Sequence, residues 1–356
     1  MNLLHIINAK VWGGGEAYVY NLCREEQRLG HKNIVVADTT ADMIVAKYEH
    51  VATVVRIPLR GLSRFLSIRM LISLCEKYQI DAVTAHSGST MPILALLKVC
   101  NNRLKTIVFR HNLLPNKVDC YHRWMIQQID RFICVSNKVY TAQVNSVPLD
   151  VQDKFRLVYS GIPLDTFTPI AQKVDSTCFS IGYAGRIIEN KGIYILAQAV
   201  KKCAEQGIPI IFHYCGHGTD SEIRRFKEYL KTLGLDDKVI DWGYLEDLDN
   251  FYSNLDVFVL PSIVPEAFGL ALVEAMSRAI PVVTSDSGAQ DEIVTNHING
   301  YIVRSKSVED LVVALEELYY NIDKRIAVGA AGRQEVYARF TLSKMVSDIN
   351  DIIIEI

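Results

Sequence analysis

The sequence lacks the features that mark membrane-spanning, secreted or metal-stabilised chains. No apolar run reaches the ~18 residues needed to cross a bilayer. The first ten residues, MNLLHIINAK, lack the layout of a signal peptide and instead predict a first β-strand. The 8 cysteines form no C-x-x-C pair or other metal-ligand spacing, and most lie in apolar runs. We therefore expect reduced thiols in a cytoplasmic protein.

Two common phosphate-binding motifs are also missing. No G-x-x-x-x-G-K-[ST] occurs, which excludes a Walker A loop. Gly13, Gly14 and Gly15 follow the first predicted strand, but Tyr18 stands where a dinucleotide fingerprint needs its last glycine. Glycines and Glu16 at a helix start still allow a ligand close to the backbone. An ordinary strand-to-helix turn is the alternative.

The two signs of charge nearly cancel over the whole sequence, but they are unevenly distributed along it. The net charge is −2, yet residues 1–165 carry 20 Lys and Arg against 13 Asp and Glu. A basic half is evidence about partners. No basic cluster is interleaved with aromatic platforms, which argues against nucleic acid. One segment carries four arginines interleaved with apolar residues: Arg56, Arg60, Arg64 and Arg69. This pattern predicts either a helix on an anionic membrane or a core-packed helix with solvated arginines.

Short β-rich runs alternate with longer helical patterns, such as Ala17–Leu29 and Ser67–Tyr78, which predicts parallel, doubly wound sheets. The first series of predicted strands is Leu3–Ile7, Asn33–Ala37, Ala82–Ala85, Thr106–Phe109 and Arg131–Val135. The second series is Phe179–Tyr183, Ile210–Tyr214, Val239–Trp242, Val257–Leu260 and Pro281–Thr284. A turn-rich stretch, Ser160–Val174, separates the two series and predicts two domains.

The segment Pro261–Val294 carries the most informative chemistry. A helix is predicted from Leu270, directly after a glycine, and two carboxylates, Glu266 and Glu274, stand eight positions apart around its start. Backbone N–H groups at a helix N-terminus suit a phosphate, and carboxylates suit the hydroxyl pairs of a sugar or ribose. The loop therefore predicts an anion site between two diol acceptors.

This segment resembles the E-x7-E motif of the retaining glycosyltransferases of family 4, and the resemblance covers nearly the whole chain. It implies an α/β GT-B fold, with two Rossmann-like doubly wound domains facing across a cleft. Residues 1–165 would bind the acceptor, residues 166–340 would bind the nucleotide-sugar donor, and a helix at 341–356 would cross back to the first domain. The implied reaction is hexosyl transfer in polysaccharide, lipopolysaccharide or glycolipid assembly, with no cofactor and no metal.

The resemblance also assigns roles to residues. Arg186 and Lys191 would clamp the donor diphosphate, Glu266 would hold sugar hydroxyls, and His111 would line the sugar site near the reacting centre. Glu274 would hold the ribose diol. Further donor-side residues would be Gly14, Gly15, Gly185, Gly216, Gly218, Tyr244, Ala267, Phe268, Gly269 and Leu270. The acceptor side would include Glu16, His86 and Arg110.

The sequence departs from the family pattern at a few positions, and alternatives stay open. Ala279 and Ala289 stand where glycines are usual, and Arg110 replaces a small polar residue. Asp247 and Asp249 look like a metal-binding D-x-D, but helix capping is the favoured interpretation. An epimerase or phosphorylase on the same fold, or a catalytically silent sugar-binding subunit, are the competing functions.

The expected partners are a UDP-, GDP- or ADP-sugar and a glycan or lipid-linked acceptor. A peripheral contact at the inner face of the cell membrane is a further expectation from the basic first half.

Overall fold

The computed structural model describes residues 1–8, 12–59, 66–164 and 178–356. The chain divides into two compact units. Unit 1 comprises Met1–Gly161 and Leu342–Ile356, and unit 2 comprises Ile162–Thr341. The last helix therefore belongs to unit 1, although it follows unit 2 in the chain. Most of the predicted linker Ser160–Val174 lies outside the described residues.

Unit 1 is built on a seven-stranded parallel sheet. Its strands are β1 (Asn2–Ile7), β2 (Lys32–Ala37), β3 (Thr53–Arg56), β4 (Ala82–Ala85), β5 (Lys105–Arg110), β6 (Arg131–Cys134) and β7 (Phe155–Leu157). Its helices are α1 (Gly14–Arg28), α2 (Asp42–Tyr48), α3 (Leu66–Tyr78), α4 (Met91–Cys100), α5 (Cys120–Gln128), α6 (Asn137–Val144) and α13 (Leu342–Glu355). The central strands β1 and β4 are buried along almost their whole length because parallel sheets are covered on both faces.

Unit 2 repeats this plan with a six-stranded parallel sheet. Its strands are β8 (Phe179–Ala184), β9 (Ile210–Cys215), β10 (Val239–Asp241), β11 (Val257–Leu260), β12 (Val282–Ser285) and β13 (Tyr301–Val303). Its helices are α7 (Ile193–Glu205), α8 (Asp220–Thr232), α9 (Asp249–Ser253), α10 (Leu270–Ser277), α11 (Val308–Tyr320) and α12 (Ile322–Arg339). The predicted doubly wound α/β class is confirmed for both units.

Strand order fixes where each sheet can bind a ligand. The order in unit 1 is β3-β2-β1-β4-β5-β6-β7, and in unit 2 it is β10-β9-β8-β11-β12-β13. In each sheet the winding reverses once, between β1 and β4 and between β8 and β11. Loops diverge at such a switch point, so ligands bind beyond the carboxyl ends of those strands.

The arginine-rich stretch does not form one helix, so that part of the sequence interpretation is wrong. Arg56 is the last residue of β3 and pairs with Asp42, and Arg69 is exposed on α3. Arg60 and Arg64 lie outside the described residues. Within the described ranges, no helix combines the length and the apolar character that a membrane span requires.

Candidate active site

The loops that follow β8 and β11 pack directly on each other at the switch point of unit 2. The N–H groups of Ile263 and Val264 both donate to the carbonyl of Asn190, at 2.9 and 3.3 Å. Gly192 has a φ of +75°, and a Cβ there would lie 1.8 Å from the carbonyl oxygen of Pro261. Only glycine therefore allows this approach, which brings Lys191 next to the loop after β11.

Lys191 and Glu266 form an ion pair at this junction. The Lys191 Nζ lies 2.6 Å from the Glu266 Oε1, and the two side chains are 18% and 15% exposed. The Ser262 hydroxyl donates to the same oxygen. The sequence predicted both residues as site residues, but it did not predict that they pair or that Ser262 joins them. A strand end followed by serine was the only available signal.

Arg186 lies at the same edge and is solvent-exposed. Its backbone is fixed because the Tyr183 hydroxyl donates to the Arg186 carbonyl at 2.7 Å. In the described parts of the chain its guanidinium has no ion-pair partner. Arg186 thus presents a cation to solvent beside a half-buried Lys–Glu pair.

The glycines after β8 and β9 allow their loops to touch. Gly216 has a φ of +144°, and a Cβ there would lie 1.7 Å from the carbonyl oxygen of Gly185. Gly185 N donates to Cys215 O, and Gly216 N donates to the carbonyl of Gly243 after β10. Three loops therefore meet at one edge of the sheet. A Cβ at Gly218 would make only ordinary contacts, the nearest at 3.4 Å.

Tyr244 follows Gly243 on the outer side of these loops. Its side chain is 48% exposed, and its ring lies edge-on to the His217 ring at 6.2 Å. An aromatic face at this position is open to a planar group.

The loop after β12 cradles the backbone of Glu266. Ala289 N donates to the Glu266 carbonyl at 2.9 Å. A Cβ at Gly288 would lie 2.3 Å from the Glu266 nitrogen, so Gly288 is the position that requires glycine. Ala289 starts a short 3-10 turn and is fully buried, which explains why alanine fits where the family pattern suggested glycine. Sequence reasoning missed Ser287, whose hydroxyl donates to the Val264 carbonyl.

Helix α10 begins beside Glu266. Gly269 has a φ of +120° and precedes Leu270 with no side-chain cap, so the first N–H groups of the helix point out of its N-terminus. Ala267 is half-buried, whereas Phe268 is 4% exposed and packs edge-on against Phe340 at 5.5 Å. The predicted helix start is therefore confirmed.

Glu274 lies in the second turn of α10, as predicted. It accepts a hydrogen bond from the Tyr252 hydroxyl at 3.1 Å. Burial raises the pKa of Glu274, although Arg278 and Tyr252 act in the opposite direction. Arg278 stacks over the Tyr252 ring at 4.5 Å and pairs with Asp249. Tyr252 and Arg278 were not predicted, because nothing in their local sequence marks them.

The aspartates of the D-x-D sequence have structural roles here. An Asp247 carboxylate oxygen accepts from the Asp249 N–H at 2.9 Å, and Asp249 begins α9. Asp249 is also the partner of Arg278. The predicted helix start is confirmed, but Leu248 occupies the N-cap position, and the aspartates flank it.

In unit 1, His86 and His111 follow β4 and β5 and lie in one aromatic cluster. The His86 ring stacks on Phe109 at 4.5 Å, and the Tyr18 ring lies 4.8 Å from His111. Burial, together with Arg110, lowers the pKa of His111 to about 4. Burial also holds the pKa of His86 well below its ordinary value, with His111 and His5 adding to the effect. Both rings are therefore neutral near pH 7.

Among the described residues, nothing crowds Gly14 and Gly15 at the start of α1. A Cβ at Gly14 or Gly15 would meet nothing within 4 Å, so the described chain itself does not require glycine there. Glu16 stands in the first turn, and burial raises its pKa.

Arg110 is 8% exposed and donates to the Leu114 carbonyl at 3.2 Å, and burial lowers its pKa. It therefore supplies a buried charge rather than a solvent-facing one.

Metal-ligand side chains come together at one buried group in the described chain. Single donor atoms of His5, Cys23 and Glu26 lie within 4.8 Å of one another. His5 Nε2 and Glu26 Oε2 are already hydrogen-bonded at 3.1 Å. The group can therefore be explained without an ion, as a buried ion pair.

Comparison with known proteins identifies the class and then the family. Two doubly wound parallel units with polar loops at their switch points are the GT-B architecture. Residues 12–166 match the family model Glycosyltransferase Family 4, and residues 169–335 match Glycosyl transferases group 1. The chain belongs to these glycosyltransferases, and the family resemblance seen in the sequence is confirmed.

Three relatives illustrate the match. The chain is 24% identical to Spore coat protein SA of Bacillus subtilis over 63% of its own length and 64% of the relative's. It is 30% identical to the capsular polysaccharide biosynthesis glycosyltransferase CapM of Staphylococcus aureus over 46% and 42%. It is 24% identical to the UDP-Gal:alpha-D-GlcNAc-diphosphoundecaprenol alpha-1,3-galactosyltransferase of Escherichia coli over 83% and 81%. The alignments thus span less than two thirds of the first two relatives.

Solved structures share the fold along the whole chain. A glycosyltransferase from Rickettsia africae superposes with a TM-score of 0.88 at 21% identity, covering 99% of this chain and 98% of that one. Anabaena HepE in complex with UDP-glucose superposes with a TM-score of 0.85 at 17% identity, with 100% of both chains covered. At these identities the likeness establishes the fold alone.

Proposed function

We propose that the chain is a retaining glycosyltransferase that moves a sugar from a nucleotide-diphosphate sugar to an acceptor. One observation carries the proposal: the Lys191–Glu266 pair and the exposed Arg186 lie at the switch point of unit 2. Two cations after β8, one of them paired with Glu266 in the loop before α10, suit a diphosphate. UDP-glucose in the HepE complex and UDP-Gal in the Escherichia coli relative's name support a nucleotide-sugar donor.

Lys191 changes partner in this proposal. Its ammonium donates a hydrogen bond to Glu266. A diphosphate carries more negative charge than a carboxylate and competes with Glu266 for that ammonium. When Lys191 turns to the diphosphate, Glu266 keeps the Ser262 hydroxyl and gains free lone pairs for sugar hydroxyls. Before the donor binds, the ion pair thus holds the ammonium and the carboxylate in place, so that neither charge is buried without a partner.

Glu274 holds the ribose diol in this proposal. Its one described side-chain donor is the Tyr252 hydroxyl, and a carboxylate has further lone pairs that can accept two neighbouring hydroxyls. The Tyr252 hydroxyl holds the carboxylate, and Arg278 stacks on the Tyr252 ring and donates to the Glu274 backbone carbonyl. The exposed Tyr244 ring, with the Gly243 backbone, is proposed to contact the nucleobase, and the Gly185, Gly216 and Gly218 loops to contact the phosphates.

The proposed chemistry places charge stabilisation on Arg186 and Lys191. As the bond between the anomeric carbon and the diphosphate breaks, the acceptor hydroxyl oxygen forms the new bond to that carbon. Negative charge grows on the leaving diphosphate, and one of its oxygens takes the acceptor proton. Fixed cations at that point lower the barrier because their charge is already in place. His111 is neutral at pH 7, so it is proposed to hydrogen-bond a sugar hydroxyl rather than to supply charge. No metal is part of this proposal.

The acceptor side is proposed to lie on unit 1. Glu16, His86 and Arg110 are its proposed residues, and the basic balance of residues 1–165 suits an anionic or lipid-linked acceptor. Two relatives are named for capsular polysaccharide and for a diphosphoundecaprenol substrate, which supports polysaccharide or glycolipid assembly. A cytoplasmic location, at or near the inner membrane face, is part of the same proposal.

The test incubates the purified chain with UDP-, GDP- and ADP-sugars, with and without candidate acceptors, and measures nucleotide release. The account predicts acceptor-dependent release and an anomeric configuration in the product equal to that of the donor, measured by NMR. Free sugar or sugar phosphate without an acceptor would indicate an epimerase or phosphorylase instead. Tight nucleotide binding with no turnover under any condition would indicate a silent binding subunit.

A further inference from the structure

A continuous hydrogen-bonded chain of side chains crosses the switch point of unit 1. Glu26 Oε2 on α1 lies 3.1 Å from His5 Nε2 on β1. His5 Nδ1 lies 2.8 Å from the Thr84 hydroxyl on β4, and that hydroxyl lies 3.0 Å from Nε2 of His86. His5, Glu26 and Thr84 are at most 1% exposed. The chain thus runs from the interior to His86 at the carboxyl end of β4.

Two arrangements of this chain use the single hydroxyl hydrogen of Thr84 for one of its two histidine contacts. If His5 carries both ring protons, its Nδ1–H donates to Thr84, and the Thr84 hydroxyl donates to His86 Nε2. The proton of a neutral His86 is then on Nδ1. If His5 is neutral, with its proton on the Glu26 side, the Thr84 hydroxyl donates to His5. His86 must then donate from Nε2, and its Nδ1 has no proton.

The surroundings favour the first arrangement. Burial lowers the pKa of His5, but the neighbouring Cys23 and Glu26 outweigh it and raise that pKa well above the ordinary value. Burial raises the pKa of the Cys23 thiol, so the carboxylate of Glu26 is the charge that faces His5. His86 itself is neutral.

The outer end of the chain points to a ligand. Nδ1 of His86 is enclosed and has no hydrogen-bond partner among the described residues, although other parts of the side chain are accessible. The Tyr18 hydroxyl and Nε2 of His111 are also enclosed and have no hydrogen-bond partner in the part of the chain that the structure describes. The three rings lie within 4.8 to 6.3 Å of one another, centroid to centroid. Clustered polar atoms that lack partners inside a chain are suited to an oxygen from outside it.

We propose that Glu26 and His5, acting through Thr84, are positioning residues that hold His86 as the Nδ1–H tautomer, so that it donates a hydrogen bond to a substrate hydroxyl oxygen. This inference deepens the proposed function and rests on it for the identity of the substrate. The tautomer itself is independent of that identity. The titratable groups around the chain are Tyr18, Cys23 and Glu26 on α1, His5 on β1, His86 after β4, and Arg110 and His111 at the end of β5.

A pH dependence follows from the two arrangements. When His5 loses its second ring proton at high pH, the direction of the chain reverses. His86 then becomes the Nε2–H tautomer and loses the donor at Nδ1. The titration of a buried residue on β1 is thus coupled to the tautomer of a residue on β4.

The test is long-range ¹⁵N–¹H NMR of the full chain labelled at histidine, with His86 assigned by loss of its signals in His86→Gln. The expected result near pH 7 is protonated Nδ1 and an unprotonated, hydrogen-bonded Nε2. Thr84→Val removes the hydroxyl with little change in shape and is expected to give a mixture of tautomers. Thr84→Ser keeps the hydroxyl and should keep the wild-type tautomer. Glu26→Gln removes the charge facing His5 and should favour Nε2–H.

The proposal is overturned if wild-type His86 is the Nε2–H tautomer near pH 7, or if Thr84→Val and Glu26→Gln both leave the tautomer unchanged. If the variants do not fold, the wild-type titration decides: the His86 tautomer must change together with His5. A constant Nε2–H signal at every pH would refute the chain.

Activity assays then identify the substrate that carries the oxygen. Thr84→Val is expected to raise one KM about fivefold or more, with a smaller change in kcat. If the KM for the nucleotide sugar rises, the hydroxyl that His86 contacts belongs to the donor. If the KM for the acceptor rises, that hydroxyl belongs to the acceptor. The predicted tautomer without any sugar transfer would defeat the proposed function alone. Sugar transfer with the wrong tautomer would defeat this inference alone.

Discussion

Replacing Lys191 tests the donor site most informatively, because Lys191 is already paired in the structure. At 2.6 Å and an effective dielectric constant of ~20, its attraction to Glu266 is about 6 kcal/mol. Desolvation of two side chains that are 18% and 15% exposed offsets much of this, which leaves a net contribution of about 1–3 kcal/mol. Lys191→Ala should therefore lower the free energy of unfolding by roughly that amount, measured by urea titration.

The catalytic effect is separate from the effect on stability. Lys191→Ala also removes a charged hydrogen bond to the diphosphate, worth about 1.5–3 kcal/mol, so kcat/KM for the nucleotide sugar should fall ~10- to 150-fold. Lys202→Ala is the matched control, because Lys202 forms a pair of the same 2.6 Å length with Glu309 on the exposed surface. That control should change kcat/KM and stability little.

A double-mutant cycle separates direct from indirect action. If Lys191 contacts the diphosphate itself, Lys191→Ala should still lower kcat/KM at least ~10-fold in a Glu266→Gln background. If Lys191 only positions Glu266, Lys191→Ala should have no further effect in that background. That second outcome, or a Lys191→Ala enzyme as active as Lys202→Ala, would refute the reasoning.

Three further predictions concern stability. Because the pKa of His5 is raised in the fold, its ion pair with Glu26 stabilises the protein fully below pH ~6.5 and less as pH rises through the folded pKa. Glu26→Gln should therefore lower the free energy of unfolding most at low pH, measured by urea titrations at several pH values. Gly192→Ala should lower the free energy of unfolding by more than ~3 kcal/mol because its Cβ would overlap a carbonyl oxygen. Gly14→Ala, where a Cβ meets no described atom within 4 Å, should lower it by less than ~1 kcal/mol. Equal losses in the two variants would contradict this reasoning. Ala279→Gly should stabilise the protein by ~0.5–1 kcal/mol because Ala279 has a φ of +61°, and a lower Tm would show that the helix end is not strained.

The sheet cores could be predicted because their signal is local. The bounds of β4 (Ala82–Ala85) and β11 (Val257–Leu260) were predicted as found, since each is a short buried apolar run between turn residues. The strands β3, β7 and β13 were missed. All three lie at sheet edges, where a strand is only partly buried, so they lack the continuous buried run that marks β4 and β11.

The site divides in the same way. Arg186, Lys191 and Glu266 could be predicted as site residues because they belong to motifs next to predicted strand ends. The Lys191–Glu266 pair was not, because 75 residues separate its members and only the fold joins them. The chain from His5 through Thr84 to His86 left no sequence signal for the same reason: β1 and β4 are neighbours in space but 79 residues apart.

Calorimetric titration of nucleoside diphosphates tests the central claim most directly. We expect UDP, GDP or ADP to bind the wild-type chain, and Arg186→Ala/Lys191→Ala to weaken that binding more than ~30-fold, about 2 kcal/mol, while the matching nucleoside without phosphates is unaffected. An unchanged nucleotide affinity in the double variant would contradict the account, because the diphosphate would then bind elsewhere than at the switch point of unit 2.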